Sequence, residues 1–308
     1  MLGDTTVPFQ DASQVIRSTS PARVYAMSSS PDTVRMPSAP GGSLSDAYLA
    51  LLKEHLTVGS FAALEAPRGD PRRLAIILVQ RVLDRFGLSL VRGIDPQSRT
   101  EGLQASVDAT TMIGMKRLDN LHHCVTQVIR DQISGDLVET GVWKGGASIF
   151  MRGILMAYGD LTRTVWLADS FQGLPKPNPG RYPADRDDRL WAKTELAVSL
   201  DEVKANFDRY GLLDDQVRFL QGWFSETLPS APIDRLAVLR LDGDMYESTK
   251  VALDALYPKL SVGGYVIVDD YGAIPACRQA VSDFRLENGV EEPIHSIDWT
   301  GVYWRRQT

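Results

Sequence analysis

From Gly135 to the C-terminus the chain alternates short apolar runs with amphipathic stretches, and few architectures satisfy that alternation. Asp136–Thr140, Val165–Asp169, Val217–Gln221, Leu236–Leu241 and Gly264–Asp269 are brief, apolar and predict buried strands. Between them, Gly145–Tyr158, Asp201–Tyr210, Ser248–Leu256 and Pro275–Leu286 carry apolar residues at helical spacing. Parallel neighbours need a crossover, and right-handed crossovers put helices on both faces of the sheet. The predicted fold of residues 135–308 is therefore α/β, with a Rossmann-like, doubly wound, mostly parallel sheet. Ile294–Trp304, with its Trp299-Thr300-Gly301 turn, predicts an antiparallel hairpin that closes it.

Residues 45–134 predict a helical N-terminal segment. Leu118, Leu121, Val125, Val128 and Ile129 form a stripe at the 3.6-residue period. The tandem His122-His123 inside it is a poor metal site, because adjacent helical residues point about 100° apart; packing or surface roles are expected. Residues 1–44 are rich in Ser, Thr and Pro, with Phe9 and Tyr25 as their aromatics. Such a stretch cannot bury enough apolar surface to offset its ordering entropy, and predicts a flexible extension.

Charge and composition remove several function classes. Lys plus Arg number 33 against 39 acidic residues, a net charge of -6, which argues against a nucleic-acid partner. The apolar runs fall far short of the ~20 residues that span a bilayer, so no membrane partner is expected. The two cysteines, Cys124 and Cys277, make neither a disulfide framework nor a cysteine-based zinc site. The start, Met1-Leu2-Gly3-Asp4, has neither the basic residues nor the apolar stretch of a secretory signal, so a cytoplasmic location is expected.

In open α/β sheets ligands bind beyond the carboxyl ends of the strands. The first predicted strand runs into Glu139-Thr140-Gly141-Val142-Trp143-Lys144-Gly145-Gly146, a glycine-rich turn without the G-x-G-x-x-G spacing of dinucleotide enzymes. The second ends at Asp169, a carboxylate suited to a ribose diol, followed by Ser170. The third ends near Gly222-Trp223, an aromatic residue placed for an adenine or for ordinary packing. The fourth and fifth end in Asp242-Gly243-Asp244 and Asp269-Asp270. Helix capping explains one or two of these four aspartates, and Asp244 stands just before a predicted helix. Four carboxylates on one rim repel each other unless protons or a cation neutralise them. All-oxygen ligands favour Mg²⁺, with Mn²⁺ or Ca²⁺ as substitutes.

Glu139–Gly146, Asp169–Pro175, Leu241–Thr249 and Val268–Gly272 resemble the macrocin O-methyltransferase family, as do the upstream Thr111–Gly114 and Arg117–Asn120. The resemblance spans roughly residues 45–308, and Lys144 stands where the family pattern carries Arg. It implies a class I methyltransferase that uses S-adenosylmethionine and Mg²⁺ to methylate a (deoxy)sugar hydroxyl of a glycosylated natural product, as in antibiotic biosynthesis. It further implies that Glu139, Thr140, Gly141 and Trp143 hold the methionine end of the cofactor, with Met112 closing over it. Asp169 and Ser170 would bind the ribose, and Gly222 and Trp223 would lie near adenine. Asp242, Asp269 and Asp270 match the metal ligands, and Asp244 the general base. The expected partners are a small-molecule glycosylated acceptor and further copies of the chain in a homo-oligomer.

Three other functions compete. A metal-dependent O-methyltransferase of catechols or other vicinal diols would use nearly the same residues. An NAD(P)-dependent oxidoreductase lacks its glycine fingerprint here. A non-catalytic binding protein should have lost rim carboxylates, and all four are present. Lys176–Arg189, rich in Pro, Gly and charge, predicts a mobile lid over the acceptor.

Overall fold

The computed structural model describes residues 43–57, 61–63, 71–85, 91–103 and 108–308. The extension expected over 1–44 lies outside the described residues, apart from Ser43 and Leu44. These two open helix α1 (Leu44–Leu56), where Ser43 and Asp46 form a capping box. Strand β1 (Phe61–Ala63), helix α2 (Arg73–Asp84) and strand β2 (Val91–Gly93) follow, with β1 and β2 in a two-stranded sheet. Of the described residues, Ala63, 71–85 and 91–93 make up a compact unit of their own, and the others make up a second, which contains every candidate site residue.

In the second unit come α3 (Pro96–Glu101) and α4 (Met115–Arg130). The stripe on α4 is buried as predicted, with Leu118, Leu121, Val125 and Val128 at no more than 1% exposure. His122 lies edge-on to Phe150 and Tyr158, with centroids 6.0 and 6.4 Å away, and exposed His123 lies edge-on to Tyr265. Both are packing residues. Then follow β3 (Asp136–Thr140), α5 (Gly146–Ala157), β4 (Val165–Asp169), α6 (Leu200–Arg209), β5 (Val217–Gln221), α7 (Phe224–Thr227), β6 (Leu236–Leu241), α8 (Tyr246–Leu256), β7 (Leu260–Val268), α9 (Pro275–Glu287), β8 (His295–Ser296) and β9 (Val302–Arg305).

The seven-stranded sheet has the order β5-β4-β3-β6-β7-β9-β8. Its first five strands are parallel, and the C-terminal hairpin adds β9 antiparallel to β7. Strand β7 begins four residues before the predicted Gly264. A register shift between Leu236 and Val238 of β6 lets Gly263 (φ +87°) and Gly264 stay inside the strand, although the glycine pair reads as a break in sequence.

Apolar faces of α4, α5 and α6 pack on one side of the sheet around Phe150, Ile154 and Phe207. Leu253, Val281, Phe284 and Trp304 form a second cluster with α8 and α9. Helix α1 closes on α5, where a Cβ at Gly153 would lie 2.4 Å from Leu52 Cδ2, so the glycine permits that approach. Among the described residues, no helix is long and apolar enough to cross a membrane. Because β4 lies on one side of β3 and β6 on the other, the order reverses between β3 and β6. A crevice opens there at the carboxyl ends of the strands.

Candidate active site

At that crevice the chain turns under strain. Trp143, Phe171 and Asp244, just beyond the ends of β3, β4 and β6, hold φ angles of +46°, +56° and +58°. Such conformations cost of order 1–3 kcal/mol for non-glycine residues and tend to cluster at functional sites. Gly141 (φ +83°) leaves β3 so close to β6 that a Cβ would lie 1.9 Å from the Asp242 carbonyl oxygen. Gly141→Ala should therefore cost more than about 2 kcal/mol, from the left-handed backbone and the backbone clash together. Urea unfolding measures the loss, and an unchanged midpoint would show that the two exits can separate freely.

The turns enclose a cavity of about 330 Å³, within the usual range for small-molecule sites. Met112, Gly141, Trp143, Asp169, Ser170, Gly222, Trp223, Asp242 and Asp244 all line it, together with Leu174–Lys176, Asn178, Leu196 and Phe224. Met112 is exposed and stands at the edge. Asp169 takes backbone N–H bonds from Val142 (2.8 Å) and Phe171 (2.7 Å), one on each oxygen, and the Ser170 hydroxyl lies 3.5 Å from the oxygen that Phe171 meets. Burial still raises its pKa. Ser170 donates its hydroxyl to the Gly173 carbonyl at 2.7 Å, so its proton serves the local turn. The Trp143 indole donates to the Glu195 carbonyl at 2.9 Å, and Lys144 sits 4.6 Å from the Trp143 ring.

Glu139, Thr140, Asp269 and Asp270 do not line the cavity. Glu139 lies beneath it, 2% exposed, paired at 2.5 Å with Arg240 on the adjacent strand and accepting the Ser148 hydroxyl. Burial pushes its pKa up to about 7 against the pull of Arg240 and Ser148. Arg240 also bonds Asp242 (2.9 Å) and Asp269 (2.5 Å). Arg117 of α4 pairs with Asp269 from the other side and with Asp298 at 2.9 Å. Asp298 in turn accepts the Thr300 and Gly301 N–H groups of the hairpin turn, and Thr300 donates to the Asp269 carbonyl. Two guanidiniums thus neutralise part of the rim that the sequence presented as carboxylates alone.

Part remains. Glu139, Asp242, Asp244, Asp269, Asp270 and Asp298 set six carboxylates against Arg117 and Arg240. Burial and then the neighbouring aspartates raise the pKa values of Asp242 and Asp270, and push Asp244 up to about 8. Oxygens of Asp242, Asp269 and Asp270 lie within 4.8 Å of one another, and Asp270 Oδ2 is buried without a hydrogen-bond partner. An all-oxygen trio with surplus negative charge and one orphaned acceptor fits a hard divalent cation. Asp244 stands beside the trio and lines the cavity. It does not cap α8. Met245 is the N-cap residue, and the capping carboxylate is Asp185, which accepts from the Tyr246 and Glu247 N–H groups at 2.7 and 2.9 Å.

Sequence reasoning gave no role of their own to Arg240, Asp185 and Phe224, and noted Arg117 only within a motif. Arg240 carried a usable signal, since one Arg inside the apolar run Leu236–Leu241 must find buried partners. Nothing local marks Asp185, whose partners lie 61 and 62 residues away.

The chain is similar to known proteins in both sequence and fold. The Macrocin-O-methyltransferase (TylF) family matches residues 45–306. The chain is 61% identical over 198 residues to 8-demethyl-8-(2,3-dimethoxy-alpha-L-rhamnosyl)-tetracenomycin-C 4'-O-methyltransferase of Streptomyces olivaceus, covering 64% of this chain and 76% of that one. It is 55% identical over 238 residues to Mycinamicin III 3''-O-methyltransferase of Micromonospora griseorubida, covering 76% and 93%. Among solved structures, the O-methyltransferase NovP is 46% identical with a TM-score of 0.73, over 86% of this chain and all of that one.

Proposed function

The chain belongs to the macrocin O-methyltransferase family and is an S-adenosylmethionine-dependent O-methyltransferase; from that premise we propose that its acceptor is a sugar hydroxyl of a glycosylated natural product and that the transfer needs Mg²⁺. The observation that carries this reading is the cluster of Asp242, Asp269 and Asp270, of which Asp242 lines, with Asp244, the cavity that Asp169 also borders. A relative named for 4'-O-methylation of a rhamnosyl-tetracenomycin and another named for 3''-O-methylation of mycinamicin III support the acceptor class.

S-adenosylmethionine supplies an electrophilic sulfonium methyl. Asp169 would hold the ribose at its carboxylate, the turns at Gly141 and Gly222 would border the cofactor, and Trp223 would offer a face to adenine. Asp242, Asp269 and Asp270 would hold the cation, which supplies positive charge beside the acceptor hydroxyl and lowers the cost of its ionisation. Asp244 would take the hydroxyl proton at a carboxylate oxygen as that hydroxyl's oxygen bonds the methyl carbon and the carbon–sulfur bond breaks, with S-adenosylhomocysteine as the leaving group. Arg240 and Arg117 orient the Asp242 and Asp269 carboxylates from behind. We further propose that the active species is a homo-oligomer, which light scattering on the eluted protein measures.

S-adenosylhomocysteine should raise the melting temperature, since a ligand that binds only the folded state stabilises it by mass action, and NADH should not. Labelled S-adenosylmethionine should then methylate members of a panel of glycosylated metabolites in preference to catechols. A shift with NADH alone would overturn the cofactor assignment. Preferred transfer to catechols would keep the chemistry and replace the acceptor.

A further inference from the structure

The segment between β4 and α6 contains neither strand nor α-helix and runs past the cavity, which it lines at Leu174–Lys176, Asn178 and Leu196. Most of its middle is exposed, including Arg181, Arg186 and Arg189. Asp185 departs from that pattern at 1% exposure. Its two oxygens accept the first-turn N–H groups of α8, from Tyr246 at 2.7 Å and Glu247 at 2.9 Å. These are orphan donors of a helix whose own N-cap residue, Met245, makes no side-chain capping bond to them. The same end of α8 is held by the Tyr182 ring, 6.0 Å from that of Tyr246, and the Tyr246 hydroxyl donates to Asp283 of α9 at 3.0 Å.

Just ahead of these amides in the chain is Asp244, in its left-handed conformation. A second tie fastens the far end of the segment, where the Glu195 carbonyl receives the Trp143 indole N–H. One attachment therefore joins the segment to the turn that carries the base, and the other to the cofactor turn. Resting on the methyltransferase reading, we propose that Asp185 is a positioning residue that latches segment 174–199 over the acceptor end of the cavity and steadies the Asp244 turn through α8. An ordinary helix cap would add stability alone. A latch also couples segment closure to acceptor binding and to the rate.

The test compares Asp185→Ala and Asp185→Asn with Ser43→Ala, which removes a capping side chain from α1, remote from the cavity. The first readout is limited trypsin digestion in the presence of S-adenosylhomocysteine and Mg²⁺, with cleavage mapped by mass spectrometry. It needs no acceptor, so it stands even if the acceptor class is wrong. In Asp185→Ala, cleavage after Arg181, Arg186 and Arg189 should accelerate roughly tenfold or more, whereas Ser43→Ala leaves those bonds protected. On an accepted substrate, Asp185→Ala should raise acceptor KM and lower kcat by roughly tenfold each, with S-adenosylhomocysteine affinity changed less than about threefold. Asp185→Asn, which still presents one acceptor oxygen, should recover part of each effect. If Asp185→Ala loses thermal stability as Ser43→Ala does, with trypsin sites and kinetics unchanged, Asp185 is a cap and no latch. Should the alanine variant not fold, the same readings on Asp185→Asn decide between the two.

Discussion

Asp244→Asn should lower kcat by roughly 10²–10⁴, the usual worth of a positioned general base, while metal and cofactor affinity stay nearly intact. The structure sharpens this expectation, because Asp185 caps α8 and leaves Asp244 free of that duty. Loss of a mere cap would cost about 1 kcal/mol of stability and little rate. The control is its neighbour. Asp242→Asn removes a proposed ligand charge, so activity should fall with metal affinity and partly return at high Mg²⁺. EDTA should abolish turnover of the wild type, with Mg²⁺ restoring it, and Asp269→Asn should weaken metal binding by calorimetry. If the Asp244→Asn defect vanishes on adding Mg²⁺, the base assignment is wrong; full activity after exhaustive chelation would remove the metal.

Arg240→Met should be the most destabilising single change near the site, at about 3–5 kcal/mol, because it strands buried carboxylates without their counter-charge. Arg240 is 1% exposed and bonds Glu139, Asp242 and Asp269 at once. Adding Glu139→Gln should recover part of the loss, since it removes one of the stranded charges. Equilibrium urea unfolding of the two single variants and the double variant measures this coupling. Strict additivity would mean that the Glu139–Arg240 pair contributes no interaction of its own.

The alternation of apolar runs and helical stretches was enough to specify the parallel sheet, since strands of five or six residues joined through helices have few other ways to bury their faces. Strand β6 pairs in parallel with β7, as expected of adjacent runs that end in paired aspartates, and the hairpin turn falls at Trp299–Gly301. The candidate site was legible for a related reason. Strand ends are local in sequence, and the fold class directs them all to one rim. Asp169, Asp242, Asp244, Gly141, Gly222 and Trp223 therefore meet at one cavity.

What the linear pattern could not supply is how the rim's charge is balanced. Arg117 arrives from a helix 152 residues before Asp269, Glu139 meets Arg240 across 101 residues, and Asp185 reaches α8 from the far side of two strands. Such pairings depend on side-chain direction and strand register, which no periodicity encodes. The candidate residues of the chemistry were thus determined by the sequence through the strand ends. Which carboxylates are neutralised by arginine, which one caps a helix and which are left without a counter-charge was decided only by the tertiary structure, because a buried charge takes its role from whatever the fold brings within hydrogen-bond reach.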